Sequence, residues 1–321
     1  MVGPMTTPAI EAQNLVKTFG KQRAVDGVGL TVPTGSVYGV LGPNGAGKTT
    51  TVRMLATLLR PDGGSARIFG HDVVADATAV RSLVGVTGQY ASVDEDLTAT
   101  ENLVVFSRLL GLGRRESKAK AVELLEEFGL AEAAHRPLKM FSGGMRRRLD
   151  LAASLISAPP LLFLDEPTTG LDPRTRAQMW DTIRRLVAEG STVLLTTQYL
   201  DEADQLCDRI AVIDHGRVIA ENTADGLKSS VGTSALSLTL TDRHRIDDAR
   251  ALVATQLGTD VSVSPESARL TAPMTDTSMT PDILIRLRDF GIEVGEITVT
   301  KPSLDEVFLT LTGKSADEDA A

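Results

Sequence analysis

Residues 10–26 alternate apolar and polar positions, a period-two pattern that predicts edge strands. A short apolar run, Ser36-Val37-Tyr38-Gly39-Val40-Leu41, is followed by a glycine-rich turn and by apolar residues at helical spacing over 48–59. Strand, glycine loop and helix in that order predict the first half of a parallel α/β unit. Leu103, Phe106, Leu109 and Leu110, then Ala121, Leu124, Leu125 and Phe128, continue a helical pattern over 99–130, and Pro137 closes it. Beyond a helix over 146–156, Pro159-Pro160 breaks the chain. The wholly apolar Leu161-Leu162-Phe163-Leu164 then reads as a strand covered on both faces. A helix over 175–189, a buried strand over 192–196, a short helix over 200–206 and a strand over 210–213, turning at His215-Gly216, complete the alternation. It predicts a largely parallel sheet with helices on both sides.

The pattern shifts at the polar, glycine-containing stretch 228–234, which reads as a linker. After it come a strand (236–240), helix (247–257), strands (261–263 and 268–272), helix (281–290) and strand (294–299). That βαββαβ order predicts a ferredoxin-like module, with a closing helix over 304–311. The expected division is a first domain over 8–228, an accessory domain over 234–312, and a disordered acidic tail over 313–321.

A length of 321 residues has room for these two domains. The formal charge of −9 argues against nucleic acid as a main partner, because phosphate binding needs a basic face. The single cysteine, Cys207, excludes a disulfide framework and a cysteine zinc site and reads as a small apolar residue on a helix. The longest apolar stretch, 151–164, is broken by Ser154, Ser157 and Pro159-Pro160, short of the ~20 apolar residues that a spanning helix needs. Residues 1–8 lack the basic and apolar regions of a secretory signal, so a cytoplasmic protein is expected.

The chemistry begins at Gly42-Pro43-Asn44-Gly45-Ala46-Gly47-Lys48-Thr49, which fits G-x-x-x-x-G-K-[ST] at every fixed position, with Thr50 next to it. Glycines let backbone N–H groups converge on phosphate oxygens, and the following helix points its positive end at the anion. At that spacing Lys48 reaches the β- and γ-phosphates and the Thr49 hydroxyl ligates Mg2+. Downstream, the strand 161–164 ends in Asp165-Glu166, at the strand end where α/β sheets bind ligands. Asp165 is placed to hold the Mg2+ shell, and Glu166 to polarise an attacking water.

At Phe141-Ser142-Gly143-Gly144-Met145, between the phosphate loop and a basic helix leading to the acidic strand, the sequence resembles the nucleotide-binding subunit of ATP-binding-cassette (ABC) transporters. The likeness covers about residues 10–224. It implies a P-loop NTPase cassette with antiparallel edge strands and a helical subdomain, ATP and Mg2+ as cofactors, and a homodimer with two ATP at its interface. Ser142, Gly143 and Gly144 of one subunit would then cap the γ-phosphate held by the other subunit's loop. Phe19 matches the aromatic that stacks on adenine, although a half-buried strand residue is an equal reading. Gln89, in Thr87-Gly88-Gln89-Tyr90, matches the glutamine that touches Mg2+ and the attacking water, and Leu171-Asp172 matches the loop crossing the dimer interface. Where the family usually places a histidine beside the γ-phosphate, this chain has Gln198, which donates a hydrogen bond but cannot become cationic.

Gln198, the run Ser142-Gly143-Gly144-Met145-Arg146-Arg147-Arg148, the segment Thr197-Gln198-Tyr199-Leu200-Asp201-Glu202-Ala203-Asp204 and the closing Leu304-Asp305-Glu306-Val307-Phe308-Leu309 are similar to the bacterial drug-export branch typified by daunorubicin/doxorubicin-resistance ATP-binding proteins. That resemblance implies a peripheral subunit at the cytoplasmic face of the membrane, under a separate integral membrane permease, powering export of a drug, antibiotic, polyketide or lipid-like compound. Arg146-Arg147-Arg148 reads as a solvated helix face or part of a phosphate field rather than a nucleic-acid contact. Leu97, Leu103, Val104, Phe106 and Leu109 lie where the family docks its permease; most are expected in the core and one or two exposed. A soluble ABC-type ATPase acting on ribosomes or nucleic acid is the competing reading, and an importer ATPase a third; a single phosphate loop, no heptad run and an acidic chain weigh against the first.

Overall fold

The alternating N-terminal segment forms an antiparallel pair in the computed structural model, which describes residues 7–87, 93–232 and 234–313. Strand β1 (Ile10–Phe19) lies against β2 (Gln22–Val32) with Ile10 opposite Val32. The wholly buried β3 (Val37–Leu41) leads through the glycine loop into α1 (Lys48–Leu55). Strands β4 (Gly63–Ile68) and β5 (His71–Asp72), helix α2 (Ala77–Leu83) and strand β6 (Val84–Thr87) follow.

Two helices predicted as one region are α3 (Ala99–Leu109) and α4 (Arg114–Glu127). Thr98 starts the first by a reciprocal capping box with Glu101, satisfying backbone donors that a helix start leaves free. In α3, Leu103 is fully buried, whereas Leu109 is 77% exposed beside the exposed Val105 and Leu110. Helix α5 (Gly143–Ser154), strand β7 (Leu161–Asp165), helix α6 (Pro173–Ala188), strand β8 (Thr192–Thr197), helix α7 (Leu200–Leu206), and strands β9 (Arg209–Asp214) and β10 (Arg217–Asn222) complete the first unit. Asp172 caps α6 by accepting from the Thr175 amide at 3.0 Å, with Pro173 at the first turn, where its missing N–H costs nothing.

The first unit has two sheets. The smaller is antiparallel in the order β2-β1-β4-β5; the larger runs β10-β9-β3-β8-β7-β6 and is parallel except for β10. Val28, Leu30 and Ile68 of the small sheet, Tyr38, Phe163 and Leu194 of the large sheet, and Val52 and Leu55 of α1 share one core. Each such side chain contributes about 1.5–3 kcal/mol by leaving water. Because β3, β8 and β7 are neighbours and parallel, their C-terminal ends deliver the glycine loop, Gln198 and Asp165-Glu166 to one rim.

The chain divides into two units between Ala224 and Asp225. The stretch read as a linker is helical through Val231, in α8 (Ala224–Val231). Its serines do not break it because they bond back to helical carbonyls, Ser229 to Asp225 at 2.8 Å and Ser230 to Leu227 at 2.6 Å. The second unit continues with β11 (Ser234–Leu240), α9 (Ile246–Leu257), β12 (Ser262–Ser264), β13 (Arg269–Met274), α10 (Thr280–Asp289), β14 (Val294–Thr300) and α11 (Leu304–Thr312). Its sheet order, β12-β13-β11-β14, is antiparallel at every pairing, the arrangement of a ferredoxin-like α+β module. Leu236, Leu238 and Leu270 pack with Ala249, Val253, Ile283 and Leu287 of α9 and α10 in its core. Residues 314–321, most of the expected acidic tail, lie outside the described residues.

Candidate functional site

Lys48 opens α1 and is almost wholly buried, its ammonium donating to the carbonyls of Gly42 at 2.6 Å and Pro43 at 3.1 Å. The Glu166 carboxylate lies 3.6 Å away. Burial pushes the Lys48 ammonium below its ordinary pKa, and the charges of Glu166 and Asp165 oppose that shift. Gly47 has φ +105°, and a Cβ there would collide with the carbonyl of Ala24, so glycine is required on both counts.

Across the rim, the Thr49 hydroxyl donates to Asp165 at 3.0 Å, and Thr196 on the neighbouring strand donates to the same oxygen at 2.5 Å. A hydroxyl beside a carboxylate oxygen is the hard-oxygen donor set that suits Mg2+. Glu166 follows directly and has φ +51°, a left-handed conformation that costs a side chain roughly 1–2 kcal/mol. Its amide donates to the Thr196 carbonyl at 3.1 Å, and Thr169 bonds to its carboxylate at 3.3 Å. A cavity of about 340 Å³ opens over these groups, lined by Ala24, Pro43, Asn44, Gly45, Gly47, Lys48, Thr49, Thr50 and Glu166.

The backbone of the acidic turn is held from an unexpected place. Arg147 of α5 donates through Nε to the Pro167 carbonyl at 3.2 Å, and through Nη2 to the carbonyls of Asp165 at 3.2 Å and Glu166 at 2.5 Å. Arg148 donates to the Phe128 carbonyl at 3.1 Å, while Arg146 pairs with Glu95. The arginine run is therefore no open phosphate field: two of its members hold carbonyls inside the unit. Replacing Arg147 with alanine should lower stability by about 2 kcal/mol, since three buried-side acceptors lose a charged donor; a urea midpoint equal to the parent's would contradict this.

Ser142 caps α5, its hydroxyl accepting from the Met145 amide at 3.3 Å. Gly143 has open space where a Cβ would be, whereas a Cβ on Gly144 would collide with Thr175 at the start of α6. Ser142, Gly143 and Gly144 do not line the cavity of their own chain. Gln198 follows β8, half-buried, one residue after the Thr197 carbonyl that accepts from the Gly42 amide at 3.3 Å. Phe19 is 51% exposed at the end of β1 and is not a lining residue of the cavity, while Lys17 stands 5.8 Å over its ring. Gln89 lies outside the described residues. Cys207 is buried immediately after α7 rather than on it. The sequence reading missed Ala24, Arg147 and Thr196; only Thr196 carried a signal, a hydroxyl at the inner end of a buried strand.

The fold and the phosphate rim match known proteins. The family profile described as ABC transporter matches residues 25–169. A solved structure of the ATP-binding subunit of an ABC transporter superposes with TM-score 0.62 at 28% identity, covering 69% of this chain and 92% of that one. The dimeric, post-hydrolysis structure of an ATP-binding cassette bound to ADP and Pi gives TM-score 0.61 at 25% identity over 67% of this chain and 98% of that one. The daunorubicin/doxorubicin resistance ATP-binding protein of Streptomyces peucetius is 57% identical over 97% of this chain and 94% of its own length. The Nod factor export ATP-binding protein I of Sinorhizobium fredii is 39% identical over 95% of this chain and 86% of its own. The fold and site therefore define an ATP-hydrolysing cassette of the ABC class. Within that class, the chain belongs to the family of daunorubicin/doxorubicin-resistance ATP-binding subunits, components of ABC exporters. No helix among the described residues is long and apolar enough to cross a membrane.

Proposed function

We propose that this chain converts ATP hydrolysis into export of a drug, antibiotic, polyketide or lipid-like compound, seated peripherally under a separate integral membrane permease at the cytoplasmic face. The carrying observation is that Lys48, Thr49 and Glu166 line one cavity at the ends of parallel strands, with Asp165 hydrogen-bonded to Thr49 at its edge. Lys48 and the loop amides of 42–49 bind the β- and γ-phosphates, and the Thr50 side of the cavity closes around them. Thr49 and Asp165 would hold Mg2+, which neutralises phosphate charge when bound; Gln89 is assigned to the same shell by resemblance. Glu166 orients a water toward the γ-phosphorus and takes its proton as the bond to ADP breaks. Its left-handed backbone, fixed by Arg147 and Thr196, aims the carboxylate.

The cavity is closed by a second copy in this reading. Ser142, Gly143 and Gly144 do not line the cavity of their own chain and would meet the γ-phosphate of the partner's, the hydroxyl and glycine amides sitting at a helix N-terminus. Two ATP would then lie in a homodimer, with Leu171-Asp172 crossing the interface and Phe19 against adenine. The exposed Leu109, Val105 and Leu110 offer apolar surface of the kind a permease's cytoplasmic segment would cover. Relatives named for daunorubicin/doxorubicin resistance and for Nod factor export support the reading of an exporter.

Gln198 takes the histidine's place as a neutral donor to the γ-phosphate. Gln198→Ala should lower turnover at least tenfold with ATP binding retained, and no activity titration near neutral pH should be traceable to this position; unchanged turnover would sink the assignment. The dimer is tested by specific activity against concentration: a rate per chain that rises with dilution reversed supports it, and a concentration-independent rate from a monomer in light scattering contradicts it.

A further inference from the structure

One buried carboxylate plays no part in the chemistry described above. Glu202, in the first turn of α7, is wholly inaccessible to solvent. Its Oε1 accepts from the Thr168 hydroxyl at 2.8 Å and from the Trp180 indole N–H at 3.1 Å. Burial pushes this carboxyl above the ordinary range; the bonds from Thr168 and Trp180, and the charge of Arg176, oppose the shift.

The two donors and Glu202 itself belong to three different elements. Thr168 is two residues beyond Glu166 in the turn that carries the catalytic carboxylate, and its carbonyl accepts from the Leu171 amide at 3.1 Å. Thr197 immediately precedes Gln198, and its carbonyl accepts from the first amide of the phosphate loop, that of Gly42. Trp180 is on α6, two turns after the Asp172 cap, and one turn before it Arg176 stacks on the Tyr199 ring at 4.7 Å. Helix α6 thus grips the segment after β8 twice on one face, through i and i+4 side chains. A burial this complete is stable only while the carboxylate is hydrogen-bonded, so Glu202, Thr168 and Trp180 are held as one unit rather than as independent pairs.

We infer that Glu202 is a positioning residue for ATP hydrolysis, locking the Glu166 turn, the Gln198 strand end and helix α6 into one body so that the groups around the γ-phosphate are set together. The inference rests on the reading of Glu166 and Gln198 given above. Oε1 accepts both bonds, so a leucine of similar size removes them together, whereas a glutamine still presents an oxygen with two lone pairs and keeps them. The unit meets the phosphate loop through the backbone bond from the Gly42 amide to the Thr197 carbonyl, which a change at the Glu202 side chain leaves in place, so the effect falls on turnover rather than on ATP affinity. Trp180 is the chain's sole tryptophan, and its fluorescence reports the state of the unit directly.

The test uses the full chain. Glu202→Leu should lower kcat for ATP about tenfold with KM changed less than twofold, and Glu202→Gln, which keeps both bonds, should retain kcat within about twofold of the parent's. In a Glu166→Gln background, ATP should shift Trp180 emission, and adding Glu202→Leu should abolish that shift at saturating ATP. Thr168→Ser, which keeps the donor, should retain parental kcat, while Thr168→Val should reproduce the Glu202→Leu loss; this pair decides if Glu202→Leu fails to fold. Parental kcat in Glu202→Leu or in Thr168→Val, or a fall in kcat matched by a rise in KM, would overturn the inference. If Glu166→Gln itself turns over normally, the underlying assignment of Glu166 is at fault. If it is inactive while Glu202→Leu is normal, only the role of Glu202 is lost.

Discussion

Glu166→Gln should lower ATP turnover about a thousandfold while leaving nucleotide affinity within threefold of the parent, because general-base assistance contributes roughly 10²–10⁴ in rate. The substitution keeps the shape and the Thr169 contact but removes the one carboxylate that lines the cavity among the described residues. It also removes the negative partner 3.6 Å from Lys48. That change favours ATP, whose γ-phosphate then meets an ammonium without competition. The mutant should therefore accumulate as an ATP-bound dimer, visible as a mass doubling in light scattering on addition of ATP. Turnover within tenfold of the parent would remove Glu166 from the mechanism.

Lys48→Ala acts on the other half of the site. Its ammonium is buried and committed to the loop carbonyls of Gly42 and Pro43, so it is organised for phosphate before ATP arrives. Truncating one member of a buried, hydrogen-bonded charge pair costs about 2–5 kcal/mol, of which part is the penalty on the carboxylate left behind. ATP affinity should fall at least about thirtyfold, since 1.4 kcal/mol is tenfold. Isothermal titration of the full chain measures this, and a dissociation constant within threefold of the parent would contradict it. The two variants separate cleanly: Glu166→Gln binds without turning over, and Lys48→Ala does neither.

What was legible in the sequence is what short stretches determine. The loop 42–49 announces itself because its glycines, Lys48 and Thr49 work at fixed spacing along the chain. Asp165 and Glu166 were legible because a four-residue apolar run can only be a covered strand, and carboxylates at its end have no structural purpose inside. The βαββαβ order of the second unit was legible because alternation in β11 and β13 is strong, with Leu236, Leu238, Leu270 and Ala272 inward. Strand β10, with only polar or part-exposed residues, and α8, rich in serine, carried no such pattern. Arg147 was misread because its acceptors lie 18–20 residues along the chain and are backbone carbonyls, which leave no trace in sequence. Ala24 lines the cavity only because the small sheet folds over the loop. Glu202 entered only as part of the segment 197–204, and its complete burial, with bonds from the turn after Glu166 and from α6, leaves no trace in sequence.

The central claim, that ATP hydrolysis at this site drives export of a drug, antibiotic, polyketide or lipid-like compound, is tested most directly in inside-out membrane vesicles. These would carry the full chain together with its membrane permease. Doxorubicin accumulation, followed by its fluorescence, should require ATP and Mg2+ and should vanish with Glu166→Gln at equal expression. Accumulation that proceeds equally with Glu166→Gln, or an active ATPase that moves no such compound in the presence of its membrane partner, would contradict the account.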